Sequence, residues 1–67
     1  MKYLFGDKVK ILGGFYKGSV GYVVDHSYTI KDLCKIEKYE ISINKLMDNN
    51  LIEIKLWFDE PYLGNYN

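Results

Sequence analysis

The stretch Gly6-Asp7-Lys8-Val9-Lys10-Ile11-Leu12-Gly13-Gly14-Phe15-Tyr16-Lys17-Gly18-Ser19-Val20-Gly21-Tyr22-Val23-Val24-Asp25 decides the fold. Its first part alternates, with Val9 and Ile11 pointing one way and Lys8 and Lys10 the other, which is the period of a half-buried strand. Gly13-Gly14 breaks that strand and marks a turn or bulge that needs positive φ. From Gly18 the chain resumes as strand, rich in the β-branched and aromatic residues that fit a pleated surface. Gly21 inside this second strand predicts a kink or a close backbone approach, as the corner of a small barrel requires.

Working outward, Tyr39-Glu40-Ile41-Ser42-Ile43 alternates with Tyr39, Ile41 and Ile43 toward a core. Ile52-Glu53-Ile54-Lys55-Leu56-Trp57-Phe58 does the same with Ile52, Ile54, Leu56 and Phe58 inward, leaving Trp57 outward. Asp48-Asn49-Asn50 between them is turn chemistry, so the two strands are expected to form an antiparallel pair. Residues 27–37 read two ways. Ile30, Leu33, Cys34 and Glu37 have helical spacing and Thr29 with Asp32 resembles a capping box, whereas Tyr28-Thr29-Ile30 is also strand material. The expectation is a long loop or hairpin arm with one helical turn within residues 29–37. Pro61 is expected to end regular structure, with Gly64-Asn65-Tyr66-Asn67 as a frayed tail.

These elements amount to an all-β fold: one small barrel of about five antiparallel strands filling the single domain 1–67. A chain of this size buries only about 60% of the surface that its unfolded form exposes, so closing the sheet to limit free edges matters. Nine lysines balance nine acidic residues and there is no arginine, so the residue set is poor in the usual bidentate readers of guanine and phosphate. The charge is uneven, +3 over residues 1–24 and −2 over residues 41–67. A single cysteine, Cys34, excludes an internal disulfide, and no apolar run has the length of a membrane helix. The expected setting is soluble and cytoplasmic.

The run Gly6 to Val23 resembles the KOW motif: Gly6-Asp7 leading into an alternating strand, glycine at the turn, then Lys17-Gly18-x-x-Gly21-x-Val23. The closing half, ending Trp57-Phe58-x-Glu60-x-x-Leu63, is similar to that of the SH3-like barrels that carry this motif. The resemblance implies an SH3-like barrel, with contacts to RNA or to a protein of the transcription or translation machinery made by the loop Gly13 to Gly18. Gly14, Phe15, Tyr16 and Lys17 are then the candidate partner-binding residues, the rings stacking on bases and the ammonium meeting a phosphate. Lys8 and Lys10 would extend this basic stripe; the competing role for them is to solvate an outward face. The competing role for Phe15 and Tyr16 is to cap one end of the barrel.

Trp57, Asp59, Glu60 and Tyr62 combine an aromatic anchor with acids and form a second candidate interface, suited to a basic protein surface. Their plainer role is a polar turn with Trp57 covering a barrel end. His26 next to Asp25 has no evident nucleophile to serve and reads as a turn residue, and Cys34 beside Lys35 reads as a small core or loop residue. One histidine and one cysteine cannot furnish the usual nitrogen and sulfur ligands of a metal, and Gly13-Gly14-x-x-x-Gly18-Ser19 lacks the lysine of a phosphate loop. No catalytic residue and no cofactor is expected. The expected function is a non-enzymatic adaptor that contacts nucleic acid, a ribonucleoprotein or a protein. The alternative is a phage or mobile-element inhibitor of a host protein, of the anti-CRISPR type, for which zero net charge and many tyrosines suit a protein interface. A homo-oligomeric structural piece is the third reading.

Overall fold

A computed structural model describes residues 2–66. Among these residues five strands, β1 (Lys8–Ile11), β2 (Val20–Lys31), β3 (Cys34–Met47), β4 (Asn50–Asp59) and β5 (Leu63–Asn65), form one antiparallel sheet in the order β4-β3-β2-β1-β5. One 3-10 turn, Glu60–Tyr62, links β4 to β5. The fold is all-β and barrel-like, and its core is Tyr3, Val9, Ile11, Val23, Tyr39, Ile41, Ile43 and Leu63.

The alternation read from the sequence places these side chains. Val9 and Ile11 are fully buried while Lys8 and Lys10 stand outside. Tyr39, Ile41 and Ile43 share the inner face of β3, the longest strand. Gly21 marks a close approach of β2 to β3. A Cβ there would lie 2.5 Å from both Ile41 Cγ2 and the Ser42 carbonyl oxygen, so only glycine lets β2 cross β3 this closely. Just beyond, the ladder slips between Val23 and Asp25. The extra residue bends β2 out of the barrel, as β-bulges do.

Past that bulge the β2–β3 ladder runs on, and beyond Lys38 it is a two-stranded arm, with Tyr28 opposite Glu37, Ile30 opposite Lys35 and Lys31 opposite Cys34. The helical turn expected within residues 29–37 is therefore absent; the one 3-10 turn lies at Glu60–Tyr62 instead. A helical stretch this short has too few bonds to nucleate, whereas pairing simply prolongs a ladder already formed at the core. The tip is a two-residue turn, Asp32 (φ 51°) and Leu33 (φ 64°), both left-handed as a type I′ hairpin needs. Asp48 (φ 49°) and Asn49 (φ 63°) make the same turn between β3 and β4.

The two tips sit at opposite ends of β3. Fourteen residues at about 3.3 Å each span roughly 46 Å, which matches the 46 Å long axis of a molecule 20 and 19 Å across. β2 flanks β3 up to Ser42, and beyond it only β4 does. Ile54, Leu56 and Phe58 accordingly face inward and are half-buried, but Ile52, expected inside, is 41% exposed because it pairs with Lys45 beyond the reach of β2. The C-terminal segment is also firmer than expected. Gly64 and Asn65 pair with Lys10 and Val9, and Leu63 is buried, because β1 offers an open edge on that side. Asn67, the end of the expected tail, lies outside the described residues.

Gly21→Ala should destabilise the fold by about 2–3 kcal/mol, since the Ser42 carbonyl is backbone and cannot swing aside; urea unfolding measures it. Leu33→Gly should act oppositely, stabilising by about 0.5–1 kcal/mol. The leucine is fully exposed and strained, so nothing is lost with its side chain.

Candidate functional site

The loop between β1 and β2 is shaped by its backbone. Gly18 N–H donates to the Ile11 carbonyl and Ile11 N–H to the Ser19 carbonyl, both at 2.8 Å, closing the loop at its base. Lys17 N–H donates to Gly14 O and Ser19 N–H to Tyr16 O, so two tight turns follow each other inside it. Gly14 and Gly18 supply the positive φ, 80° and 91°. These turns send two adjacent aromatics apart. Tyr16 goes inward against the core, while Phe15 meets it edge-on at 5.0 Å and is otherwise 89% exposed.

The other half of the site comes from the end of β4. Trp57 and Asp59 stand on its outer face, and Pro61 in the first turn of the 3-10 segment favours the fold-back that brings Tyr62 round. The turn is held from below by Tyr39. Its hydroxyl accepts the Lys2 N–H at 2.8 Å and donates to Glu60 Oε2 at 3.0 Å. Burial pushes the Tyr39 phenol above its usual pKa, so the donated proton stays in place. From above, Leu12 N–H donates to the Tyr62 carbonyl at 2.7 Å. Gly13 then lies flat against the Tyr62 ring, where a Cβ would come within 3.2 Å.

These contacts open a groove of about 330 Å³ lined by Gly13, Gly14, Phe15, Trp57, Phe58, Asp59 and Tyr62. Two candidate interfaces that are forty residues apart in sequence thus become one. Asp59 is the charged residue of its lining. It sits across the ladder from Lys38 without an ion pair between them among the described residues. An apolar aromatic trough with one carboxylate can hold an apolar segment that bears a cationic side chain.

The remaining candidates lie elsewhere. Lys8 and Lys10 project from β1, Lys8 with its ammonium 3.9 Å from the centroid of the Tyr66 ring. Lys17 is exposed on the loop but does not line the groove. Glu60 is engaged by Tyr39 rather than presented to a partner. Phe58, expected as plain core, is a groove residue, and Gly13, at the start of the expected contact loop, lines the groove as well. No local signal marks Phe58, whose position in the inward alternation of β4 reads as core.

His26 is a strand residue of β2 rather than a turn residue, half-buried beside Tyr39, and its ring bonds the Glu37 carboxylate across the arm. Lys35 Nζ adds a contact to Glu37 at 3.2 Å. Cys34 is exposed at the start of β3. Among the described residues, no helix is long and apolar enough to cross a membrane. Comparison with known proteins finds no matching family model, curated protein or solved structure.

The hydrogen bond with His26, aided by Lys35, holds the Glu37 carboxyl below its ordinary range. A depressed carboxylate stabilises the folded state above the unfolded pKa, and that contribution is lost as pH falls through the folded value. Wild type should therefore resist urea better than Glu37→Gln near neutrality, and the difference should vanish on acidification below the carboxylate range.

Proposed function

We propose that this chain is a non-enzymatic binding module of the KOW type, an adaptor that grips a protein segment in the groove between the Gly13–Gly18 loop and the 3-10 turn. What supports this reading is the composition of the groove. Phe15, Trp57 and Tyr62 supply flat, rigid contact area, which is the usual make-up of an interface hot spot. Asp59 supplies a negative charge where a phosphate backbone would need a positive one. Lys8, Lys10 and Lys17, the residues suited to nucleic acid, lie outside the lining. The segment best matched is apolar with one lysine or arginine, the cation meeting Asp59 and the rings.

Trp57 is the sole tryptophan, so its fluorescence reports on the groove directly. Short apolar peptides containing arginine should shift its emission, and a single-stranded oligouridylate should not. Phe15→Ala, Tyr62→Ala and Asp59→Asn should each weaken the peptide response by about tenfold, a loss of about 1.4 kcal/mol. A steeply salt-dependent response to the oligonucleotide, with none to peptides, would replace this reading by the nucleic-acid one.

A further inference from the structure

β4 is a free edge. It pairs with β3 along all ten residues, without a bulge or a proline, and among the described residues no strand lies on its other side. The opposite edge of the sheet, β5, has only three residues. Natural proteins blunt long exposed edges because a row of unpaired N–H and C=O groups invites another strand. This edge instead carries a pattern that matches itself.

The ladder fixes which residues are available. In a two-residue hairpin the residues flanking the turn, here Met47 and Asn50, exchange hydrogen bonds, and the bonded pairs then alternate along the strands. Asn50, Ile52, Ile54, Leu56 and Phe58 thus direct their backbone groups toward β3. Leu51, Glu53, Lys55 and Trp57 direct theirs toward the free edge. A second copy running antiparallel about a two-fold axis must pair these outward residues with one another, which allows only registers differing by two-residue steps.

Of the registers that pair about seven or more residues of β4, one is complementary. With the axis at Ile54, Glu53 of each copy meets Lys55 of the other, Ile52 meets Leu56 and Leu51 meets Trp57. Moving the axis to Glu53 sets like carboxylates together, and moving it to Lys55 sets like ammoniums together, both unfavourable across a strand pair. Moving it on to Leu56 opposes Glu53 to Asp59. In the matching register the outer-face pair Leu46 and Leu51, 68% and 71% exposed, gains the indole of Trp57 from the second copy. Within one chain the Ser42 hydroxyl of β3 donates to Glu53 Oε2.

We infer that the occupant of the β4 edge is a second copy of this chain, joined antiparallel about a two-fold axis at Ile54 so that the two five-stranded sheets become one continuous sheet.

Sedimentation equilibrium tests this between about 10 μM and 1 mM. Wild type should rise from one toward two chain masses. Glu53→Lys alone and Lys55→Glu alone should each weaken association by about tenfold or more, because each puts like charges opposite one another. Mixing the two variants in equal amounts should restore it, since the mixed pair is complementary again. A wild type that remains a single chain throughout, singles that associate as well as wild type, or a mixture no stronger than its components would each overturn the inference. If a charge variant fails to fold by circular dichroism, Ile54→Cys in a Cys34→Ser background decides. The axis puts the two positions at a non-bonded pair with Cα atoms about 4.5 Å apart, within disulfide reach. Rapid oxidative cross-linking supports the register, and its absence overturns it.

Discussion

A buried tyrosine hydroxyl carries much of this small structure. Tyr39 lies on β3, the longest strand, with its ring against Tyr3 at 5.2 Å, and its oxygen joins three segments that are remote in sequence. It accepts the backbone N–H of Lys2 and donates to Glu60, while Tyr3 donates in turn to the carbonyl of Leu63. The N-terminal segment, β3, the 3-10 turn and β5 are thereby held around one polar point inside an apolar core. Burying that oxygen without its partners would carry the full cost of desolvation. In a chain with so little core, a contact of this kind constrains everything that leans on it.

What leans on it first is the groove. Glu60 anchors the turn, the turn positions Tyr62, and the Tyr62 carbonyl takes the N–H of Leu12, which brings the β1–β2 loop over the end of β4. The site is therefore built at the junction of three elements, none of which forms it alone. The β4 edge has a simpler origin. β3 is longer than the barrel that surrounds its middle, so its ends run out as arms with one neighbour each, and apolar side chains that a larger domain would bury are left at the surface.

The two apolar surfaces of β4 differ in kind. The groove presents rings and a carboxylate and selects by side-chain chemistry, as recognition surfaces with aromatic anchors do. The edge presents backbone groups in a fixed alternation and selects by register, through the order of charges along one strand. Trp57 belongs to both, lining the groove at the end of β4 and standing on the outer face of its edge. A second copy at the edge would thus lie next to whatever occupies the groove.

Much of the fold was legible in the residues themselves. The alternation of Val9 and Ile11, and of Tyr39, Ile41 and Ile43, put the right side chains inside because strand geometry has a period of two that no context alters. Gly21 announced a close approach because every other residue carries a Cβ that would clash there. Over residues 29–37 the hairpin arm was legible but the helical turn was not there, because helical spacing over so short a run competes poorly with an adjoining hairpin; Gly64-Asn65 misled because an open β1 edge was invisible from local composition. The Phe15 loop and the Trp57–Tyr62 segment were each legible as separate aromatic patches. That they face one groove was decided only by the tertiary structure, because a single long-range hydrogen bond from Leu12 to Tyr62, supported by the buried Tyr39, brings them together, and no local pattern encodes a contact fifty residues away.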